Sequence, residues 1–161
     1  MALYPPIVAS SMPAFNINNK KVRIYYTLSD YNNAKKDEIK AVHIICSRQS
    51  SNVNVLTSYS QIAVSAFGLQ DEEDKLLNRY YVEIPNEKIQ GGFKANVLYK
   101  VQLRFSSIVS QETDETEKSA RAFFVNNINK FSEWSTVCLI KPIYPPEFYI
   151  DDFYVEGTKP E

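Results

Sequence analysis

Apolar and polar residues alternate along residues 97–105, the clearest pattern in the chain. The apolar members occupy every second position and are Val97, Tyr99, Val101, Leu103 and Phe105. A period of two is typical of a strand with one buried face and one face in water. We therefore predict a strand here, with Arg104 on the solvent face.

Similar patterns predict further strands along the chain. Residues 22–28 alternate in the same way, and residues 39–48 are apolar on both faces, as in a central strand. Runs at 61–69, 79–84 and 135–143 are shorter strand candidates. Together these patterns predict an all-β fold.

Prolines and polar segments separate the predicted strands. Residues 4–15 hold Pro5, Pro6 and Pro13 around a short apolar run. Because proline cannot donate to a strand ladder, this pattern predicts an edge strand with a break in it. The polar segments at 30–37, 50–60 and 106–120 predict loops, and 71–78 predicts a charged loop with at most one helical turn. No long amphipathic helix is predicted.

Composition and charge narrow the class of protein. The 161 residues are 44% hydrophobic, enough for one large domain with a core, and Tyr and Phe are abundant, as in sheets. A net charge of −1 argues against a nucleic acid as an obligate partner, since phosphate binding needs a clustered positive field. The start of the chain does not resemble a signal peptide, and no apolar run approaches the roughly 20 residues of a membrane span, so no membrane insertion is predicted.

The two cysteines, Cys46 and Cys138, lie in apolar strand segments. They are too few for a disulfide framework, but one bridge between sheets is an alternative. Free cysteine packs as a small hydrophobic residue, so two buried thiols are the favoured interpretation.

Phe93 and Tyr99 flank a polar corner before the strand at 97–105. A tyrosine at the start of a late strand, with its hydroxyl bonded back to the chain just upstream, is the corner device of sandwich domains. We expect Phe93 and Tyr99 to form such a structural corner.

These features together resemble a fibronectin type III-like domain over roughly residues 5–143. The resemblance rests on the opening Pro5-Pro6 strand, the Phe93 and Tyr99 corner, the run at 99–104 and the element Ser132-Glu-Trp-Ser135. It implies an immunoglobulin-like antiparallel β-sandwich of about seven to nine strands with extended loops, since typical modules have only about 100 residues. The early-strand tryptophan usual in the family is absent, and Tyr25 or Tyr26 is expected to fill its place.

At a finer level, residues 7–15 and 131–143 resemble the opening domain of tail or baseplate structural proteins of tailed bacteriophages and prophages. The resemblance implies a non-enzymatic virion module, made in the bacterial cytoplasm, that acts in assembly or host-surface contact. Its partners would be other virion proteins or copies of itself, and no catalytic site is carried over. The alternative is a carbohydrate- or receptor-binding module of a bacterial surface protein, with an interaction surface at Tyr31, Tyr59, Phe124 and Trp134.

The domain is predicted to span residues 1–143, with 144–161 as a linker or the start of a following domain. Tyr144-Pro-Pro repeats the opening Tyr4-Pro-Pro, and proline-rich junctions are common domain boundaries. A proline-rich tail that happens to look alike is the other interpretation.

Few residues point to chemistry, and no cofactor, metal or catalytic residue is predicted. His43 is the sole histidine and is expected at the surface or half-buried in a strand. A reactive thiol needs an electropositive, accessible setting, which the apolar neighbours of Cys46 do not offer. The acidic runs at 71–74, 112–117 and 151–152 do not have the spacing of a calcium loop and are interpreted as solvated charge.

Arg104 and Trp134 are predicted to form a cation–π pair on the solvent face of the sheet, a contact worth about 0.5–2 kcal/mol. The alternative role for Trp134 is in ligand binding, because exposed aromatic residues also serve as platforms for sugars.

Overall fold

The computed structural model describes residues 3–12, 14–17, 21–56, 60–63, 68–110 and 117–144, with backbone alone at 60–63 and Glu117. The described part is β-rich, and its two larger sheets are antiparallel. The strands are β1 (Ile7–Val8), β2 (Phe15–Asn16), β3 (Lys21–Thr27), β4 (Ala41–Arg48), β5 (Ser60–Ala63), β6 (Tyr80–Pro85), β7 (Tyr99–Ser106), β8 (Cys138–Ile140) and β9 (Pro142–Ile143).

The smaller of the two sheets has the order β1-β3-β6, with β3 at its centre. Its register pairs Tyr26 with Val8 on one side and with Tyr80 on the other. The β3 residues alternate in burial, so that Val22, Ile24 and Tyr26 point into the core. The predicted alternation at 22–28 is confirmed.

The larger sheet has the order β5-β4-β7-β8, and its centre is the eight-residue ladder between β4 and β7. This ladder runs from Ala41 opposite Ser106 to Arg48 opposite Tyr99. The prediction of a central strand at 39–48 is confirmed, because β4 has a partner on each side. β2 and β9 pair in parallel and form a separate two-stranded sheet.

One face of each larger sheet contributes to a single apolar core. Tyr26 of the smaller sheet meets Phe105 of the larger one edge to face, with 5.6 Å between ring centroids. The largest fully buried side chains come from both sheets and include Tyr26, Tyr99, Phe105, Ile24, Ile44, Ile84, Leu103 and Ile140. Tyr26 lies in this core, whereas Tyr25 lies on the opposite face of its strand, where it contacts Tyr81.

The first strand is broken as the prolines predicted. β1 pairs with β3 in the smaller sheet, and the chain then crosses to the larger sheet, where Ser11 bridges Leu139 of β8. Leu139 donates to the Ser10 carbonyl and accepts from the Met12 amide, at 3.1 and 3.0 Å. The N-terminal segment therefore covers an edge of each sheet, and it shields the β8 edge from pairing with other chains.

In the described ranges, three α-helices interrupt the strands: α1 (Asp30–Ala34), α2 (Glu72–Leu77) and α3 (Glu117–Asn126). The single helical turn foreseen at 71–78 is α2. The prediction of a loop throughout 106–120 is wrong from Glu117 onward, where α3 begins. The less exposed apolar residues of α3, Ala120, Phe123 and Phe124, have the i, i+3, i+4 spacing of a helix, but they span little more than one turn. A pattern this short does not stand out after a Ser/Thr/Glu-rich segment.

Tyr99 begins β7 and is 1% exposed. Its hydroxyl accepts a hydrogen bond from the backbone N–H of Lys94 at 2.9 Å, and its ring meets the Phe93 ring edge to face at 5.1 Å. The Phe93 amide donates to Asn86 Oδ1, and Gly91 and Gly92 precede it with φ of 74° each, in the left-handed region that favours glycine. These contacts fix the corner through which the chain enters the central ladder.

Within the described residues, no helix combines the length and the apolar character that crossing a bilayer requires.

The Tyr99 hydroxyl is expected to stabilise the fold through its bond to the Lys94 amide. Tyr99→Phe keeps the ring in the core and removes only the acceptor, so the free energy of unfolding should fall by about 0.5–1.5 kcal/mol. Urea unfolding measures this change. Tyr4→Phe, at a residue that is 47% exposed, is the matched control and should leave stability within about 0.5 kcal/mol of the original. Equal effects of the two substitutions would contradict a structural role for the corner bond.

Candidate functional site: an arginine cavity on the outer face of the larger sheet

The outer face of the β4 and β7 ladder is covered rather than open to water. His43 of β4 lies directly opposite Arg104 of β7, and the two side chains are 3% and 6% exposed. Helix α3, Phe131 and Trp134 lie over this part of the sheet. The predictions that Arg104 faces solvent and that His43 is a surface or half-buried residue are therefore wrong. The alternation along β7 correctly places Arg104 on the face of the sheet opposite the core. It does not show that this face is covered, because the covering residues are distant in sequence.

Arg104 is surrounded by three aromatic rings. Its guanidinium carbon is 4.1 Å from the ring centroid of Phe124, 4.2 Å from that of Trp134 and 4.6 Å from that of Phe131. A cation over an aromatic face is attracted by the ring quadrupole, and the planar guanidinium also stacks well. The structure thus brings together Arg104, Trp134 and Phe124, three of the residues singled out in the sequence.

Trp134 is held over the sheet by the two serines that flank its segment. Ser132 and Ser135 each accept, through the side-chain hydroxyl, a β7 backbone N–H, from Phe105 at 2.9 Å and from Leu103 at 3.0 Å. Each hydroxyl also donates to the carbonyl of the next residue in the chain. The serine amides donate to the carbonyls of the same two β7 residues. The Ser-x-x-Ser spacing therefore docks residues 132–135 on β7 without a regular strand and directs Trp134 to Arg104.

His43 is a neutral member of a short buried hydrogen-bond chain. The Ser106 hydroxyl donates to the Ile108 carbonyl at 2.6 Å, so His43 Nε2–H donates to Ser106 Oγ at 2.8 Å. Burial, with a smaller contribution from the Arg104 charge, lowers the pKa of His43 to about 3. The ring also contacts Phe131, 4.9 Å away. This histidine is a satisfied structural residue, and its proton is not positioned for chemistry.

A cavity of about 510 Å³ opens beside this cluster. Arg104, Phe124 and Trp134 line one side, and Arg121 of α3 joins them. The loop after β4 supplies the other side, mainly through Asn52 and Asn54. The volume is in the range of small-molecule sites.

The two asparagines are oriented by hydrogen bonds to the protein. Asn54 Oδ1 accepts from the backbone amides of Cys46 and Leu56, at 3.2 and 3.3 Å. Asn52 Oδ1 accepts from Lys100 Nζ at 3.0 Å. Since both side-chain oxygens bond to protein donors, the remaining polar groups of these amides are N–H donors.

No protein-family model matches this sequence, and no curated protein matches it.

The four residues predicted as an interaction surface do not all meet. Phe124 and Trp134 share the cavity, whereas Tyr31 contacts the ring of Tyr4 at 4.9 Å and the ammonium of Lys35 at 5.3 Å. Tyr59 lies outside the described residues.

Sequence analysis missed Arg121, Asn52 and Asn54 as lining residues. Arg121 is on the helix that the sequence pattern did not reveal. The asparagines stand in a polar loop, where nothing in the local sequence distinguishes a lining residue from a solvated one. The only local sign of a binding role is the pair of asparagines at i and i+2 in the loop that follows the central strand.

The acidic run at 71–74 is not simply solvated charge, which corrects its interpretation from sequence. Asp71 and Asp74 form a capping box at the start of α2, and Asp74 is 2% exposed and accepts from Arg79 Nε at 2.6 Å. These bonds hold the pKa of Asp74 below its usual range, with Arg79 the main cause. The runs at 112–116 and 151–152 lie outside the described residues. Elsewhere in the described ranges, no three histidine, cysteine or carboxylate side chains converge as metal ligands do.

Both cysteines are buried free thiols, as predicted. Burial raises the pKa of Cys46 to about 12 and also raises that of Cys138. A thiol that stays protonated at neutral pH is a poor nucleophile, so neither residue is a candidate for thiol chemistry.

The depressed pKa of His43 predicts a loss of stability in mild acid. Folded His43 stays neutral down to about pH 3, whereas in the unfolded chain it takes up a proton below its ordinary value of 6.5. The unfolded state therefore binds more protons between these values, and stability falls as pH falls through this window. Urea unfolding should show a loss of about 2 kcal/mol between pH 7 and pH 5.

His43→Gln is the control, because His43 is the only histidine in the chain. The variant is expected to be less stable at pH 7 but to lose much less stability between pH 7 and pH 5. A variant that keeps the full pH dependence would show that other groups cause it.

Proposed function

We propose that this chain is a fibronectin type III-like β-sandwich that serves as a non-enzymatic structural module of a bacteriophage tail or baseplate protein. Its role would be assembly, or contact with the host surface, with partners among other virion proteins or copies of itself. A rigid apolar core would hold loops and covered edges in a fixed arrangement for such contacts.

The strand order is the observation that supports the fold assignment. Immunoglobulin-like sandwiches keep strands A, B and E in one sheet and C, F and G in the other, with C′ added beside C in some members. Taken in chain order as A, B, C, C′, E, F and G, the strands β1, β3, β4, β5, β6, β7 and β8 give the orders A-B-E and C′-C-F-G. The corner tyrosine of such domains stands near the start of strand F, the position of Tyr99 in β7.

The virion role rests on the sequence resemblance of residues 7–15 and 131–143 to tail proteins, because a fold alone does not specify a function. Both segments contribute to the same edge of the larger sheet in this chain. The first supplies Ser11 and the second supplies β8 and the docked Trp134. The resemblance therefore covers a connected part of the domain rather than two unrelated pieces.

The virion role predicts that the protein is a component of phage particles. Antibodies against the purified chain should label the tail end of particles released by prophage induction from the strain that carries the gene. Immunogold electron microscopy provides the measurement, and antibodies against a cytoplasmic enzyme of the same strain provide the control. Label on the bacterial envelope, with none on particles, would reject the virion role and favour a cell-surface protein.

The cavity supports a second function, the binding of a carbohydrate or receptor. The side chains of Trp134 and Phe124 form part of its wall, and Arg121 and Asn52 stand beside them. Apolar walls with a few converging polar groups are typical of ligand sites. This function is compatible with either location of the protein.

Carbohydrate binding predicts selective binding on a glycan array that depends on Trp134. Trp134→Ala should reduce such binding at least tenfold, because it removes a large part of one wall. Tyr4→Ala changes an exposed aromatic residue of the separate Tyr31 cluster and should keep binding. Circular dichroism checks that both variants are folded. Binding that survives Trp134→Ala in a folded protein would place the glycan site elsewhere.

A further inference from the structure

We propose that copies of this chain associate through a contact between helix α2 of one copy and helix α3 of the next. This inference deepens the assembly role proposed above and rests on it. Three observations carry it: exposed apolar residues on both helices, opposite charges beside them, and the positions of the two helices on the outer faces of the two larger sheets.

Helix α2 turns its apolar residues to water. Leu76 and Leu77 are 87% and 53% exposed, whereas Asp74 of the same helix is buried. Bonds fix this orientation, because the Asp74 carboxylate accepts from Arg79 Nε and from the backbone N–H of Asp71. The helix cannot turn its leucines inward without breaking these bonds. The two leucines therefore form a fixed apolar surface at the end of α2.

Helix α3 and the turn after it carry a second exposed apolar group. Val125 and Ile128 are 62% and 61% exposed, and Ala122 is also exposed. The spacing of three residues places them along one side, while Phe124 lies over the sheet. Scattered apolar residues are normal on a protein surface, whereas grouped ones are typical of interaction sites.

Acidic residues accompany the leucines of α2. Residues 71–77 contain four carboxylates and one lysine, and the two carboxylates nearest the sheet are bound by arginines. Glu72 and Glu73 stand one turn before the leucines and are exposed. Their ion pairs, with Lys75 and Arg79, are on the surface and contribute little, so they can rearrange at a contact.

Basic residues accompany the apolar group of α3. Lys118 and Lys130 are exposed at its two ends, and the sequence between them contains no carboxylate. Opposite charges around an apolar contact favour the correct partner and speed its association. The α2 surface therefore complements the α3 surface and not a second α2 surface.

The two surfaces of one copy cannot meet each other. The segment that begins α2 lies on the outer side of the smaller sheet, where Asp71 accepts from the Arg23 guanidinium and the Tyr81 hydroxyl. Helix α3 lies on the outer side of the larger sheet, over Arg104. Since the apolar core separates these outer faces, the complementary surface must come from a second copy.

A contact between two different surfaces can repeat. Each pair of copies leaves one α2 surface and one α3 surface unused, so further copies add in the same way and produce a ring or a filament. Such a series of copies suits the assembly role.

Sedimentation of the full chain tests the association. Between about 10 μM and about 1 mM, the range of weak and transient contacts, the average mass should rise above that of the monomer. High salt should reduce the rise, because it screens the charges. A chain that stays monomeric throughout this range would overturn the inference.

Two substitutions test which surfaces meet. Leu76→Asp and Val125→Asp should each weaken self-association at least about tenfold, because each would bury a carboxylate without a partner in the contact. Both positions are exposed, so the fold should be kept, which circular dichroism checks. Tyr144→Asp adds the same charge at an exposed residue outside both surfaces and should leave the association unchanged.

Mixing the two variants is the decisive experiment. The Leu76→Asp protein keeps its α3 surface and the Val125→Asp protein keeps its α2 surface, so the mixture should form a dimer although neither variant associates alone. The dimer should not grow, because its remaining surfaces are both altered. A mixture that stays monomeric would overturn the pairing of α2 with α3.

The other outcomes separate this inference from the role on which it rests. Self-association that survives both substitutions would place the contact elsewhere and overturn the inference, while particle labelling would still judge the virion role. Label on the bacterial envelope, together with the expected dimer in the mixture, would reject the virion role and leave the contact between copies in place.

Discussion

The ladder between β4 and β7 is the constraint on which the core and the candidate site both depend. Because side chains alternate along a strand, one register decides which residues enter the core and which lie on the outer face. With Ala41 opposite Ser106, Leu103 and Phe105 point inward, and His43 and Arg104 meet on the outside. A slip by one residue would drive the Arg104 charge into the apolar core. The corner bond of Tyr99 lies at the end of this ladder and helps to set its register.

Burying a charge at Arg104 carries a cost that the surrounding rings help to offset. Removing an ion from water costs several kcal/mol, whereas a desolvated cation–π contact contributes about 2 kcal/mol. Three rings around one guanidinium give a stabilisation of the same order as that cost. The arrangement also fixes the cation in position. His43 adds no second charge beside it, since burial keeps its ring neutral at physiological pH.

Local periodicity was enough to predict most strands, and the prolines were enough to predict the broken first edge. Alternation also places Arg104 on the outer face of its strand, where it contacts Trp134. These features depend on short stretches of sequence. Periodicity could not predict that His43 and Arg104 are buried, because their cover comes from α3 and Phe131, far along the chain. Helix α3 itself escaped prediction because its apolar pattern, Ala120 with Phe123 and Phe124, spans little more than one turn. Arg121 and Asn54 became recognisable as lining residues only when the fold placed the helix opposite the loop after β4.

The cavity therefore has one side fixed by the central ladder and another side formed by a helix and a loop. Arg104 stands on a central strand, and Trp134 is bound to β7 through the hydroxyls of Ser132 and Ser135. Both residues are therefore held in place by the central ladder. Arg121 and Asn52 lie on a helix and a loop whose side chains are exposed to water. The described lining therefore combines a base that is ordered by the core strands with a rim of exposed residues on a helix and a loop.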